Sequence, residues 1–410
     1  MHSPVQKHPW LILAAGAAVQ ILTGVPAAWG VFQQPVMAEY GFSEAAASYA
    51  FSILIASFGL GCVLGGFLQD RFGPRPAALL GTALLTGGFG AAGFLPAGQP
   101  WLFFAAFSVP AGLGSAFLYP AVFSCAQKWY KDRKGLATGV IGGAVGLSGA
   151  FLTWLVRSVV RGGWGPFAGI RGAFWALAAL LLPVCTASSL LLADPPTGKG
   201  EQAAAGTREK TPAGLGAAPD FTPRQMLRTP AYWRLFAAVA LSTPAVLLFS
   251  PILVRLGMER GLSETGAHAV ILIGSAGSAA GRLLMPLLSD KVGRRRTDLW
   301  LFAALAGLSV ALWRAQGWWM AAVYAGLTFC YSGMAAVLPS FSSDLFGLPH
   351  AGVDYGFLAL GQSAGSLIFP PAAAALGLTG GRHGIAAAAA LAGFFVLWGL
   401  RPPKSPKSIA

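Results

Sequence analysis

Charge is what this sequence has least of. Only 10% of its 410 residues are Asp, Glu, Lys or Arg, against roughly 25% in soluble domains, so its surface is not built for water. Acids are the scarcer sign, 14 against 28 basic residues. Asn is absent altogether, and no function attaches to that. The four cysteines, Cys62, Cys125, Cys185 and Cys330, stand far apart in or beside apolar runs. That spacing excludes CxxC metal sites and a secreted disulfide framework, and it predicts free, packed thiols. The five His form no ligand cluster and no Ser/His/Asp set stands out. The expectation is therefore no enzyme, no metal and no cofactor. The glycine-rich run from Gly139 to Gly149 lacks the Lys-Ser/Thr ending of a phosphate loop and sits inside an apolar stretch. Close helix packing through small residues accounts for it better.

Apolar residues are abundant instead, at 55%, with 55 Gly and 28 Pro. Both residue types are commoner in membrane helices than in soluble ones. A bilayer core of about 30 Å needs about 20 apolar residues per helix. The sequence supplies twelve such runs, at 10–33, 45–69, 76–97, 101–126, 135–158, 172–193, 231–254, 265–289, 298–316, 318–342, 352–376 and 384–400. The first begins near Trp10 and is followed by many others, so it reads as helix one rather than a cleaved signal peptide. Pro370 and Pro371 predict a kink or break in helix eleven. The fold class expected is an all-α membrane protein of twelve transmembrane helices in two pseudo-symmetric six-helix bundles.

The basic residues test this layout. With both termini inside, twenty of the 28 Lys and Arg fall in inside segments, seven outside, and one, Arg282, within a span. The asymmetry orients both termini toward the cytoplasm, with the cell inner membrane as the location. The net charge of +14 follows from these short loops and does not imply nucleic acid. The stretch from Pro195 to Thr229 is the one long polar segment and reads as a cytoplasmic linker. It divides the chain into an N-terminal bundle (1–194), a linker (195–229) and a C-terminal bundle (230–410). Met226 to Tyr232 is either a short interfacial helix or a plain lead-in to helix seven.

An internal repeat supports two halves. Gly66-Phe-Leu-Gln-Asp70-Arg71-Phe-Gly73-Pro-Arg75 follows helix two, and Pro286-Leu-Leu-Ser-Asp290-Lys291-Val-Gly293-Arg294-Arg295 follows helix eight, 220 residues later. Gly114, Ala116 and Pro120 recur as Gly333, Ala335 and Pro339, and Gly142 and Gly146 as Gly361 and Gly365, at an offset of 219. Two copies of a six-helix unit predict a binding site at their interface near the midplane. In the loop motif, a carboxylate at a helix end can pair with arginines and face a helix N-terminus, latching one side of the protein. Asp70, Arg71, Arg75, Asp290 and Arg294 are the candidate gating residues. Ordinary loop charge is the plainer reading, and the second copy at the matching position weighs against it.

These residues resemble the G-x-L-x-D-R-x-G-x-R signature of the major facilitator superfamily. The match is nearly complete in the first copy, whereas Pro286 and Lys291 depart from it in the second. The resemblance implies alternating access by rocking of two bundles. Gly24-Val-Pro-Ala-Ala-Trp29 in helix one, Trp129-Tyr-Lys-Asp-Arg-Lys-Gly135 after helix four and Met226-Leu-Arg-Thr-Pro-Ala-Tyr-Trp233 before helix seven are similar to the oxalate/formate antiporter and monocarboxylate transporter group. That resemblance implies small carboxylate substrates and, in the monocarboxylate branch, proton symport.

Arg282 carries the chemical argument. It lies eight residues before Asp290, about 12 Å from that helix end and near the middle of a core of about 30 Å. An arginine there costs at least about 2.5 kcal/mol on insertion scales and cannot shed its charge. No mid-membrane Asp or Glu is apparent in the sequence to neutralise it. A guanidinium in that position is a bidentate socket for an anion. A structural arginine satisfied by carbonyls is the bland alternative. Monocarboxylate transporters carry an arginine in this helix, and Arg282 matches it; their Asp four residues earlier is here Ser278. Oxalate-type relatives have a second cation, a lysine in helix eleven, and here that helix contains no Lys or Arg. One buried positive charge suits a monoanion such as lactate or pyruvate, because a dianion would keep an unpaired carboxylate.

Tyr119 and Tyr331 sit near mid-depth and can donate to a carboxylate, although tyrosines there also pack or face lipid. Gln362 and Ser363 are weaker polar candidates, and Phe117 and Trp29 could form apolar walls. For proton coupling the substrate itself could take the proton, or Glu259 and His383 near the outer helix ends could relay it. The expected partners are a small carboxylate, a proton and the lipid bilayer, with the protein working as a monomer. Formate/oxalate-type exchange is the nearest rival reading, and a carboxylate sensor without flux is a rival from another class.

Overall fold

The computed structural model describes residues 9–130, 134–162, 168–193, 220–347, 350–375 and 381–403. Among them every regular element is helical. In the first half, α1 is Trp10–Thr23 and Val25–Tyr40, broken at Gly24; α2 is Glu44–Phe72 and α3 is Pro74–Ala92. Helix α4 runs as Pro100–Phe103, a π turn at Phe104–Ser108, and Val109–Trp129; α5 is Lys134–Gly162 and α6 is Gly169–Leu191. In the second half, α7 is in pieces, Pro230–Ser242, Pro244–Leu247, a 3₁₀ turn at Ser250–Ile252, and Leu253–Glu259. Then come α8 (Glu264–Val292), α9 (Arg294–Arg314), α10 (Gly317–Phe346), α11 (Ala351–Ala375) and α12 (Gly381–Trp398). Among the described residues nine helices are long and apolar enough to cross a membrane, with α3, α9 and α11 outside that set. Eight of the exposed tryptophans mark two levels, Trp10, Trp233, Trp300 and Trp398 near one set of helix ends and Trp101, Trp313, Trp318 and Trp319 near the other, while Trp154 lies within α5. Such belts belong at the two bilayer interfaces.

Local chemistry fixes the helix ends, and it repeats. Ser43 caps α2 by accepting from the Ala46 amide, and Ser263 caps α8 by accepting from the Gly266 amide. Each cap follows a glycine in the left-handed region, Gly41 at φ +67° and Gly261 at φ +87°. The turns after the two helices use Gly73 at φ +86° and Gly293 at φ +98°. A side chain would be strained at these four positions. The packing repeats as well. In the first half α2 lies on α4, α3 on α6 and α1 on α5; in the second α8 lies on α10, α9 on α12 and α7 on α11. The halves meet along α2–α11 and α5–α8, and α1 touches the 3₁₀ turn of α7.

The structure departs from the sequence reading in three places. Helix α11 continues through Pro370 and Pro371 to Ala375. Each proline forfeits one backbone donation, to the Ser366 and Leu367 carbonyls, a loss that membrane helices tolerate. A short helix does precede α7, but at Pro223–Leu227, closed by a capping box between Thr222 and Gln225. Its Met226 is buried and Phe221 donates its amide to the Phe346 carbonyl, so it is packed on the bundle. Residues 195–219 of the expected linker lie outside the described residues. Finally, Arg282, itself partly buried, is not the one charged residue enclosed within the helices. Asp298 in α9 and Asp354 in α11 are 4% and 1% exposed. Both stand near helix ends in sequence; packing of α9 against α10 and α12, and of α11 against α2 and α7, encloses them.

Candidate functional site

Two broken helices open the centre of the molecule. Helix α1 breaks at Gly24, where a Cβ would overlap the Ser148 side chain of α5. Helix α7 breaks after Ser242, with Pro244 and Pro251 lacking the amide donors that a continuous helix needs. The breaks face each other: Ser250 Oγ donates to the Pro26 carbonyl at 3.2 Å. Discontinuous helices at matching places in two repeats are where carriers hold their cargo.

Beside these breaks lies a cavity of about 160 Å³, against about 30 Å³ for one water in the liquid. It has room for a solute of a few heavy atoms with water. Arg282 lines it from α8, Tyr119 from α4, Tyr331 from α10, and Tyr355 and Gln362 from α11. Gln20 and Thr23 of α1 and several hydroxyls, including Ser278 and Ser332, complete a polar wall. Arg282 reaches this place because α8 is pressed onto α10 through Gly277 and Gly281; a Cβ on Gly277 would lie 2.9 Å from Thr328 Oγ1 and one on Gly281 3.1 Å from Phe329 Cα. Its stem meets Gly142 of α5, where a Cβ would lie 3.7 Å from Arg282 Cβ. The Arg282 Nε is buried with no hydrogen-bond partner among the described residues. A permanent cation so placed can receive an anion with little competition.

The other candidates divide into those at the cavity and those elsewhere. Gln362 Nε2 donates to Tyr331 Oη at 2.8 Å. With that acceptor site filled, the Tyr331 hydroxyl keeps its own O–H to give. Tyr119 stacks on Tyr355 at 6.5 Å and meets Phe58 edge-on at 5.9 Å, so first- and second-half aromatics close over one another. Ser278 is hydrogen-bonded to Ser332 at 2.7 Å. Ser363 is not among the cavity residues: it is buried at the α2–α11 seam and donates to the Ala56 carbonyl at 3.0 Å. Phe117 is buried against Gly65 of α2 and Gly81 of α3. Trp29 is a core residue stacked among Phe32, Phe51 and Phe107.

The described contacts of the loop-motif residues Arg71, Arg75, Asp290 and Arg294 stay inside each half. Arg75 donates to the Leu192 carbonyl at 3.4 Å, tying the α2–α3 turn to α6. Arg71 lies over the Phe72 ring, and the Asp70 side chain lies outside what is described. Arg294 pairs with Asp290 on the preceding turn and with Asp344 of α10 at 3.3 Å, and it also donates to Ser289. All four residues belong to the second half. Described ion pairs that cross between the halves stand at the opposite helix ends. Glu44 of α2 receives Arg255 of α7 at 2.7 Å and Arg382 of α12 at 3.4 Å. Glu264 of α8 pairs with Arg161 of α5. Sequence reasoning treated these arginines as loop charge; the repeated Gly-x-Ser-Glu at residues 41–44 and 261–264 was the available signal.

Glu259 and His383 also stand at that end, lining a separate pocket of about 400 Å³ with Glu44, Arg255 and Arg382. Glu259 pairs with Arg255 at 3.4 Å. His383 is buried beside the Phe249 ring at 4.9 Å, with Arg260 Nη2 at 3.4 Å. Neither residue lines the central cavity. Tyr355, Tyr324, Gln20 and Ser250 do, and the sequence reading passed over all four. They sit near helix ends in sequence or in runs without charge, and only the packing aims them inward.

Known proteins match this arrangement over most of its length. An Oxalobacter formigenes oxalate:formate antiporter is 26% identical over 369 residues, covering 87% of this chain and 82% of that one. Apicoplast pyruvate carrier 1 of Toxoplasma gondii is 26% identical over 373 residues, covering 77% and 66%. The crystal structure of a D-xylose-proton symporter superposes with a TM-score of 0.70 at 14% identity, covering 97% of this chain and all of that one. The Major Facilitator Superfamily model matches residues 12–297 and 235–410. With a twofold-repeated, all-helical frame around a polar central cavity, the chain belongs to the major facilitator superfamily of membrane transporters.

Proposed function

We infer that this transporter carries a small monocarboxylate, of the lactate or pyruvate kind, together with a proton, by alternating access. One observation carries the reading: Arg282 lines the central cavity with an enclosed Nε that no described group bonds. A carboxylate docking there would gain a charge-assisted, bidentate contact, and the Tyr331 hydroxyl is available as a further donor. The absence of Lys and Arg from α11 limits the site to one cation and so favours one negative charge over two. Relatives named for oxalate, formate and pyruvate support a short acid as cargo. The basic loop excess supports an inner-membrane protein with both termini in the cytoplasm, working as a monomer. The bundles would be 1–194 and 230–410 with the linker between.

Proteoliposomes loaded with a panel of short acids test this. Accumulation of labelled lactate or pyruvate driven by an inward proton gradient is expected. No transport of any short acid would end the reading. A second reading, carboxylate exchange, draws on the similarity to the oxalate:formate antiporter. Exchange requires internal substrate and ignores the proton gradient, so the same vesicles separate the two.

A further inference from the structure

A second, smaller chamber of about 40 Å³ lies inside the second half, behind the central cavity. Four of its lining residues, Tyr331, Ala335, Tyr355 and Gln362, three of them polar, also line that cavity. They form a shared polar partition, with Gln362 and Tyr331 hydrogen-bonded within it. Asp298 of α9 also lines the chamber and does not line the central cavity. Its side chain is almost fully buried, and Oδ1 is enclosed with no hydrogen-bond partner among the described residues. An ionised carboxylate in that state is costly, and a protonated one much less so. The chamber has space for at least one water.

The groups around Asp298 are few. Arg294, one turn earlier on α9, is engaged with Asp290, Asp344 and Ser289. Tyr331 faces the chamber from α10 and Tyr355 from α11; α7 contributes Leu235, Ala238, Val239 and Ser242, and no residue of α8 or α12 lines it. Arg294 is thus the nearest charge and is already paired, and the partition is what Asp298 shares with the Arg282 cavity.

We propose that Asp298 is the proton-binding residue of this carrier, holding the buried charge constant as the anion comes and goes. The inference rests on the anion reading of Arg282. In the empty state Arg282 is positive and Asp298 negative, and the charges of this pair sum to zero. When a monocarboxylate occupies Arg282, its charge disfavours a second buried anion nearby, so Asp298 takes one proton and the sum is again zero. Like charge raises the proton affinity of the acid, and by linkage the proton raises affinity for the anion. One proton thus accompanies one anion, and both states present a neutral interior to the moving bundles. The proton leaves Asp298 for the chamber water when the anion departs. Buried carboxylates inside membrane helices commonly mark such relays.

Asp298→Asn separates the two parts of this scheme. The empty variant keeps an uncompensated buried cation, whereas the loaded variant is neutral. In proteoliposomes, one-for-one exchange of labelled pyruvate should continue near the wild-type rate, and proton-driven accumulation should fall at least tenfold. Undiminished proton-driven accumulation by D298N would overturn the role of Asp298 and leave the carboxylate reading intact. Should D298N lose exchange as well, Asp298→Glu decides: restored exchange with a shifted pH midpoint of accumulation is expected, and failure to restore exchange would make Asp298 a structural residue. If the wild type exchanges no pyruvate, lactate or other short acid, both the carboxylate reading and the role of Asp298 fall together.

Discussion

Glu44 and Glu264, 220 residues apart, do the same thing in opposite halves. Each opens a long helix directly after a serine cap, and each reaches across to an arginine of the other half, Arg382 and Arg161 respectively. The repeat thereby produces two related clasps at one end of the molecule. All four side chains are partly exposed, and solvent-screened pairs contribute about 0–1 kcal/mol each. A pair of that size cannot hold a fold together, but it can bias a two-state equilibrium.

The double variant Glu44→Gln, Glu264→Gln should therefore fold normally and shift the carrier toward the form open at that end. A cysteine introduced at Ser52, which lines the pocket there, should react with a membrane-impermeant maleimide about two- to fivefold faster, in line with about 0.5–1 kcal/mol. High salt applied to the wild type should have a similar, smaller effect.

Arg282→Ala should remove transport while leaving insertion and folding intact. Losing a charge-assisted, bidentate contact in a dry site costs about 3 kcal/mol or more, roughly a hundredfold in affinity. Arg282→Lys retains the charge without the planar fork, so partial recovery with weakened affinity is expected. Uptake of labelled acid by a lysine variant indistinguishable from wild type would mean that charge alone matters.

Tyr331→Phe removes one donor and leaves the ring. A single neutral hydrogen bond is worth about 1 kcal/mol, so KM should rise about fivefold with little change in maximal rate. Gln362→Leu leaves the Tyr331 oxygen without its donor and should act in the same direction.

Gly146 and its repeat mate Gly365 permit close approach at two seams. A Cβ on Gly146 would lie 2.8 Å from Ala279 Cβ, and one on Gly365 would lie 2.6 Å from the Ala240 carbonyl. Gly146→Ala should lower the thermal midpoint in detergent by a few degrees, since overpacking costs about 1–3 kcal/mol. Gly146→Val should also stop transport, because the α5–α8 seam could no longer close. Gly90, with open space around it, is the control position for the same substitutions.

The sequence by itself determined the helical architecture and the two related halves, and it singled out Arg282 as the cation lying within an apolar run. Hydropathy, loop charge and repeat spacing are local properties of the chain, and the bilayer permits few ways to satisfy a backbone that reads as twelve apolar runs. Only the tertiary structure decided which polar side chains share a cavity. Tyr355 and Gln20 turn inward, whereas Ser363 and Phe117 are taken up by helix packing, and nothing in spacing along one helix distinguishes these outcomes. The same holds for Asp298. It stands close to a helix end in sequence, and only the packing of α9 against α10 and α12 makes it a buried acid lining the smaller chamber.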